Sequence, residues 1–139
     1  MKGMIRMKLT IINSTRTNNF SDDLMLEKIT DLWKSASHSL VGDENTKYGI
    51  YHNYESDYKG DYSLSIGIEC DGEEPTLVIP QNEKYVIFNV EPGDEQGVFN
   101  TWTDIWAQEE EGTLKRAYTY DFEKYDPKGE IAIYIAIKQ

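Results

Sequence analysis

The chain has 139 residues, with 25 acidic against 14 basic side chains, a formal net charge of −11 and a single cysteine. That length suits one domain spanning 1–139, and an acid excess without any basic cluster argues against direct binding to the phosphates of nucleic acid. Cys70 alone excludes an internal disulfide or a multi-cysteine metal site, and no stretch is long and apolar enough for a membrane span or a secretory leader, so a cytoplasmic location is expected.

Met7 to Asn13 alternates in polarity and predicts a strand. Ser21-Asp22-Asp23 then offers a cap and an acidic first turn to a helix whose apolar stripe is Met25, Ile29, Leu32, Trp33 and Ala36. Lys47 to Glu55 and Tyr62 to Glu69 predict a hairpin around Lys59-Gly60, followed by an acidic turn, Asp71 to Pro75, and a short strand at Thr76 to Ile79. Tyr85 to Val90 predicts another strand, and Val98, Trp102, Ile105 and Trp106 mark a second helix with the stripe spacing of the first. The chain closes on a hairpin, turning at Asp126-Pro127-Lys128-Gly129. Its last strand sets Ile131, Ile133, Ile135 and Ile137 on one face and Ala132, Tyr134 and Ala136 on the other. Neither face suits water, so this strand is expected to lie centrally in its sheet. Its partner strand carries the acid Glu123 between Phe122 and Tyr125.

The second half repeats the first. Ile29-Thr30-Asp31-Leu32-Trp33 falls on Trp102-Thr103-Asp104-Ile105-Trp106, and Lys59-Gly60, Ile66 and Ile68 fall on Lys128-Gly129, Ile135 and Ile137. Lys8, Ile11 and Asn13 match Lys84, Ile87 and Asn89, and Glu55 matches Glu123. Two strand-helix-strand-strand units, approximately 7–70 and 76–138, follow. Paired about a pseudo-two-fold axis they predict an α+β fold: one antiparallel sheet with two helices on it and a ligand cleft at the axis.

A carboxylate among aromatic rings favours a cationic guest or holds a proton, since burial raises its pKa unless a cation compensates. Trp102 replaces Ile29 of the first repeat, which makes it a better pocket residue than Trp33. Tyr51 shares a strand face with Glu55, and Tyr125 is two positions from Glu123. The candidate ligand-binding residues are thus Glu123, Trp102, Trp106, Tyr51, Tyr125 and Tyr134. No cofactor is expected: His38, His52 and Cys70 share no metal spacing, Asp57 and Asp61 do not follow a calcium loop, and no phosphate cradle or nucleophile elbow is present.

Ile-Pro-Gln-Asn-Glu-Lys-Tyr-Val-Ile-Phe (Ile79 to Phe88), the Trp-Thr-Asp-Ile-Trp helix and the ending from Phe122 to Lys138 together resemble the GyrI-like domain, the effector-binding domain of AraC-type and multidrug-responsive transcription activators. The resemblance implies a pseudo-symmetric sheet around a cleft for aromatic or cationic small molecules, with Glu123 in the pocket. Members stand alone or fused to helix-turn-helix domains, and this chain is expected to stand alone. It departs from the family pattern at Pro80 to Lys84, which lacks the glycine that often precedes the lysine. Two alternatives accompany the binding module. One is a hydrolase of strained cyclopropane-containing compounds, in which Glu123 activates water and Tyr51 or Tyr125 orients it; the other is an inhibitory module for a protein partner.

Overall fold

The computed structural model describes residues 7–39, 46–56, 59–69, 77–79, 84–91, 93 and 96–138, the side chains of 38 and 39 excepted. The expected acidic turn at 71–75, the glycine-less stretch 80–83, Cys70, Asp57 and the His38 side chain lie outside the described residues.

Within them the order is β1 (Met7–Thr17), α1 (Met25–Ser39), β2 (Lys47–His52), β3 (Tyr62–Glu69), β4 (Leu77–Ile79), β5 (Lys84–Asn89), α2 (Gly97–Glu111), β6 (Asp121–Tyr125) and β7 (Ile131–Ile137). All seven strands join one antiparallel sheet in the order β4-β1-β3-β2-β6-β7-β5. The block β1-β3-β2 is mirrored by β5-β7-β6, so a pseudo-two-fold axis passes between β2 and β6. The α+β fold read from the repeat is the fold observed. Strand β7 is not central as expected: it has neighbours on both sides but lies beside β5 at the end of the order, and the middle of the sheet belongs to β2 and β6; its two apolar faces are covered by α2 on one side and by the aromatic cluster of Phe122 and Tyr85 on the other.

Strand β1 continues past Asn13 to Thr17, through a bulge between Ile11 and Asn13, because Ser14 to Thr17 pair with Tyr62 to Ser65. A polar stretch of this kind carries no apolar alternation. Strand β2 stops at His52, earlier than its sequence suggests, since Asn53 takes a left-handed conformation at φ 53°. Glu55 is consequently turned out into solvent and shares no cleft with Glu123. Register also corrects the repeat alignment. Leu64 and Ile133 are equivalent, each two residues before the matched isoleucines Ile66 and Ile135. Leu64 lies across from Tyr51 and Ile133 across from Glu123, so the counterpart of Glu123 is Tyr51 rather than Glu55. By the same reading Asn13 and Val86, opposite Ile66 and Ile135, correspond.

Three clusters form the core. Leu32, Ala36, Tyr62, Leu64 and Ile66 join α1 to the first half-sheet, and Trp102, Ile105, Leu114, Ile133 and Ile135 join α2 to the second. The third lies on the opposite sheet face around Leu9, Tyr48, Ile50 and Phe122. Helix α2 ends at Gly112, whose φ of 83° is the left-handed capping conformation that glycine adopts without strain. The chain then runs back along β7: Ala117 donates to the Ala136 carbonyl at 2.8 Å, and Arg116 forms an isolated bridge with Ile137. This return brings Arg116 to the start of β6.

Candidate functional site

Strands β2 and β6 meet at the pseudo-axis with Gly49 directly across from Glu123. Alternation along β6 sends Asp121, Glu123 and Tyr125 to the helix side and Phe122 to the far side, where its ring stacks on Tyr134 at 4.6 Å. Glu123 is only 3% exposed. Gly49 makes the room for it, since a Cβ there would lie 3.3 Å from Glu123 Oε1 and 3.2 Å from the Trp33 ring. The carboxylate accepts three hydrogen bonds: from Tyr51 Oη (2.8 Å) and Trp102 Nε1 (2.7 Å) on Oε2, and from Tyr125 Oη (2.6 Å) on Oε1.

Above this acid, between the two helices, lies a cavity of about 340 Å³. Met25 and Ile29 of α1 face Val98, Trp102 and Trp106 of α2 across it, Tyr51 and Glu123 form its floor, and Tyr54, Tyr62 and Arg116 close one side. Its mouth is apolar: Leu26 and Phe99 line it while 73% and 59% exposed, and Phe20 packs on Trp106 at 6.1 Å. A largely apolar concavity with a few converging polar groups is the usual form of a small-molecule site.

The floor is electrostatically unfinished. Burial raises the Glu123 pKa above its ordinary value, opposed by the hydrogen bonds from Tyr125, Trp102 and Tyr51. Burial and the neighbouring Glu123 also push the Tyr51 and Tyr125 phenols up, so both remain proton donors to the carboxylate. Among the described residues no basic group lies within ion-pair distance of Glu123. Arg116, 3% exposed, is engaged elsewhere: it bonds Asp121 at 2.7 Å and Glu109 at 2.9 Å.

Of the six residues singled out in the sequence, Glu123, Trp102, Trp106 and Tyr51 are on the cavity. Tyr125 reaches Glu123 from outside the lining, with its ring edge-on to Trp33 at 5.0 Å. Tyr134 is not with them. It stands on the opposite sheet face, packed with Phe122 and Tyr85 and bordering a different, more polar depression beside Lys124 and Asp126. The pairing register decides this, since a residue one position out of phase with Ile133 and Ile135 must face away from the helices. Sequence reasoning missed Tyr54, Tyr62 and Arg116. Tyr62 is in phase with Leu64 and Ile66 and was legible on that ground. Arg116 and Tyr54 sit in irregular segments, where no periodicity shows which way a side chain turns.

Residues 9–137 match the model of the family Cass2, described as integron-associated effector binding protein. The chain belongs to the Cass2 family. This is a GyrI-like domain, as the motifs from Ile79 onward indicated. YobU of Bacillus subtilis (strain 168), which carries a provisional transcriptional-regulator name, is 29% identical over 146 residues, or 91% of this chain and 89% of its own length. The crystal structure of the integron cassette protein VCH_CASS2, from the mobile metagenome of Vibrio cholerae, matches with a TM-score of 0.67 at 27% identity and covers 97% of both chains. SAV2435, solved bound to tetraphenylphosphonium, matches with a TM-score of 0.66 over 96% of this chain and 89% of its own; at 13% identity it shows a shared fold. The family to which the chain belongs is thus one described by effector binding. No described helix is long and apolar enough to cross a membrane.

Proposed function

We propose that this Cass2 member captures a hydrophobic organic cation between its two helices, with Glu123 as the counter-charge. One observation carries the reading: a buried carboxylate, held by three neutral donors and, among the described residues, by no cation, forms the floor of an aromatic cavity. A cation at about 4 Å gains on the order of 4 kcal/mol at an effective dielectric near 20, and each indole or phenol face adds about 0.5 to 2 kcal/mol. Those terms, together with burial of the guest's apolar surface, work against the cost of association. The net charge of −11 draws cations toward the cavity from a distance. Tetraphenylphosphonium in SAV2435 supports the reading, because it is a hydrophobic cation held by a protein of the same fold. The provisional regulator name of YobU fits a role in which the captured molecule is a signal.

Titration of Trp102 and Trp106 fluorescence with tetraphenylphosphonium and with neutral triphenylmethanol tests it. The cation is expected to quench saturably and more tightly than the alcohol, and Glu123→Gln to weaken it at least about tenfold, or 1.4 kcal/mol. Equal affinities for wild type and Glu123→Gln would remove Glu123 from the site. Conversion of a strained cyclopropane compound on incubation, lost in Glu123→Gln, would instead favour the hydrolase, for which Tyr51 and Tyr125 are already bonded to the acid.

A further inference from the structure

The floor of the cavity offers a charge but almost no lone pair. Glu123 is 3% exposed, and the protein itself takes up most of its hydrogen-bonding capacity. A carboxylate oxygen has about two acceptor positions. On Oε2 both are filled, by Tyr51 Oη at 2.8 Å and Trp102 Nε1 at 2.7 Å, and both donors belong to the cavity lining. Oε1 receives Tyr125 Oη at 2.6 Å and lies 3.3 Å from the position a Cβ on residue Gly49 would take. The acceptor position left over therefore belongs to Oε1, whose neighbours Tyr125 and Gly49 stand outside the lining.

The rest of the wall adds little that accepts. Tyr54 Oη already receives Arg116 Nη2 at 3.2 Å, and Asn19 Oδ1 receives Tyr62 Oη at 2.6 Å. The side chains of Arg116, Trp102 and Trp106 only donate. What a guest meets is aromatic faces and the aliphatic side chains of both helices. The field of a carboxylate acts whether or not its lone pairs are filled, whereas an N–H needs a vacant one. An ammonium carrying N–H groups would give up its bonds to water and find no replacement, and an unmet buried donor is unfavourable. A cation whose charge is enclosed in carbon loses no such bond, and aromatic faces suit it. We propose that the guest is a cation without N–H groups, a quaternary ammonium or phosphonium, and that Tyr51 and Trp102 exclude protonated amines by filling Glu123 Oε2. This rests on the reading of the cavity as a cation site, and it makes the two donors specificity-determining residues of that site.

Two probes isolate the N–H: (diphenylmethyl)trimethylammonium and (diphenylmethyl)dimethylammonium, both cationic at neutral pH, differ by a methyl in place of one N–H. Burial of one more methyl by itself favours the first about fourfold. Isothermal titration calorimetry of the wild type is expected to show a preference of about thirtyfold, or about 2 kcal/mol. In Tyr51→Phe an acceptor position on Oε2 becomes vacant, so the preference should fall to about fourfold through tighter binding of the protonated amine. Trp102→Phe vacates the other position and serves where Tyr51→Phe folds poorly; with neither variant folded, the wild-type ratio decides. A wild-type ratio near fourfold, or a ratio unchanged in a folded variant, overturns the inference, and cation capture survives either result. Failure of both probes to bind removes cation capture and this inference together.

Discussion

The first repeat packs α1 on its strands with Leu32, Ala36 and Leu64, and the second packs α2 with Trp102, Ile105 and Ile133, so equivalent stripes do equivalent work. At the positions that face the axis the halves diverge. Ile29 of α1 corresponds to Trp102 of α2, Tyr51 to Glu123, and Gly49 to Asp121. The first half thus supplies the floor with neutral phenols and a gap, while the second supplies an acid, an indole donor and the Arg116–Asp121–Glu109 ion cluster. The scaffold is symmetric and the site is not. A duplicated sheet brings two copies of every position together at the axis, and divergence there creates complementary pairs; Tyr51 donating to Glu123 is one, with each residue standing in the other's place.

The largest test of this asymmetry is Arg116→Met. Removing the guanidinium strands Asp121, which is fully buried, and Glu109, so urea unfolding should show a loss of about 3–5 kcal/mol. Adding Asp121→Asn should recover part of it. A loss below about 1 kcal/mol would mean that the second half does not depend on its ion cluster.

The pH dependence of stability comes next. Burial raises the Glu123 pKa above 4.5, so the folded protein holds this proton more tightly than the unfolded chain. The group costs nothing below the unfolded value, where both states are protonated, and costs stability as pH rises through its raised folded value. Thermal melts of wild type and Glu123→Gln should therefore converge near about pH 4 and separate above it, the variant being the more stable. A bound cation reverses the balance by favouring the carboxylate, so binding should release protons and tighten with pH. Curves that stay parallel from pH 4 to 8 would sink the account of an uncompensated acid.

The smallest effect is expected at Tyr134, on the far face. Tyr134→Phe should leave cation affinity unchanged and stability within about 0.5 kcal/mol, whereas Tyr51→Phe removes a donor to Glu123 and should change affinity measurably. Equal responses of the two variants would mean that the cavity between the helices is not the binding site.

The sequence determined the elements, the repeat of their order and the two helix stripes, and it singled out Glu123 as an acid among aromatic residues, because burial in a helix or strand imposes a period that can be counted without knowing what lies opposite. The tertiary structure alone decided which groups meet. Pairing register set Glu123 against Gly49 and Tyr51, turned Tyr134 to the other face, and, with the early end of β2 at Asn53, left Glu55 in solvent. Arg116 needed more still: the cap at Gly112 and the bridge to Ile137 carry it from an irregular segment to Asp121. Such contacts join residues far apart in the chain through hydrogen bonds between strands, and no local pattern of polarity encodes them.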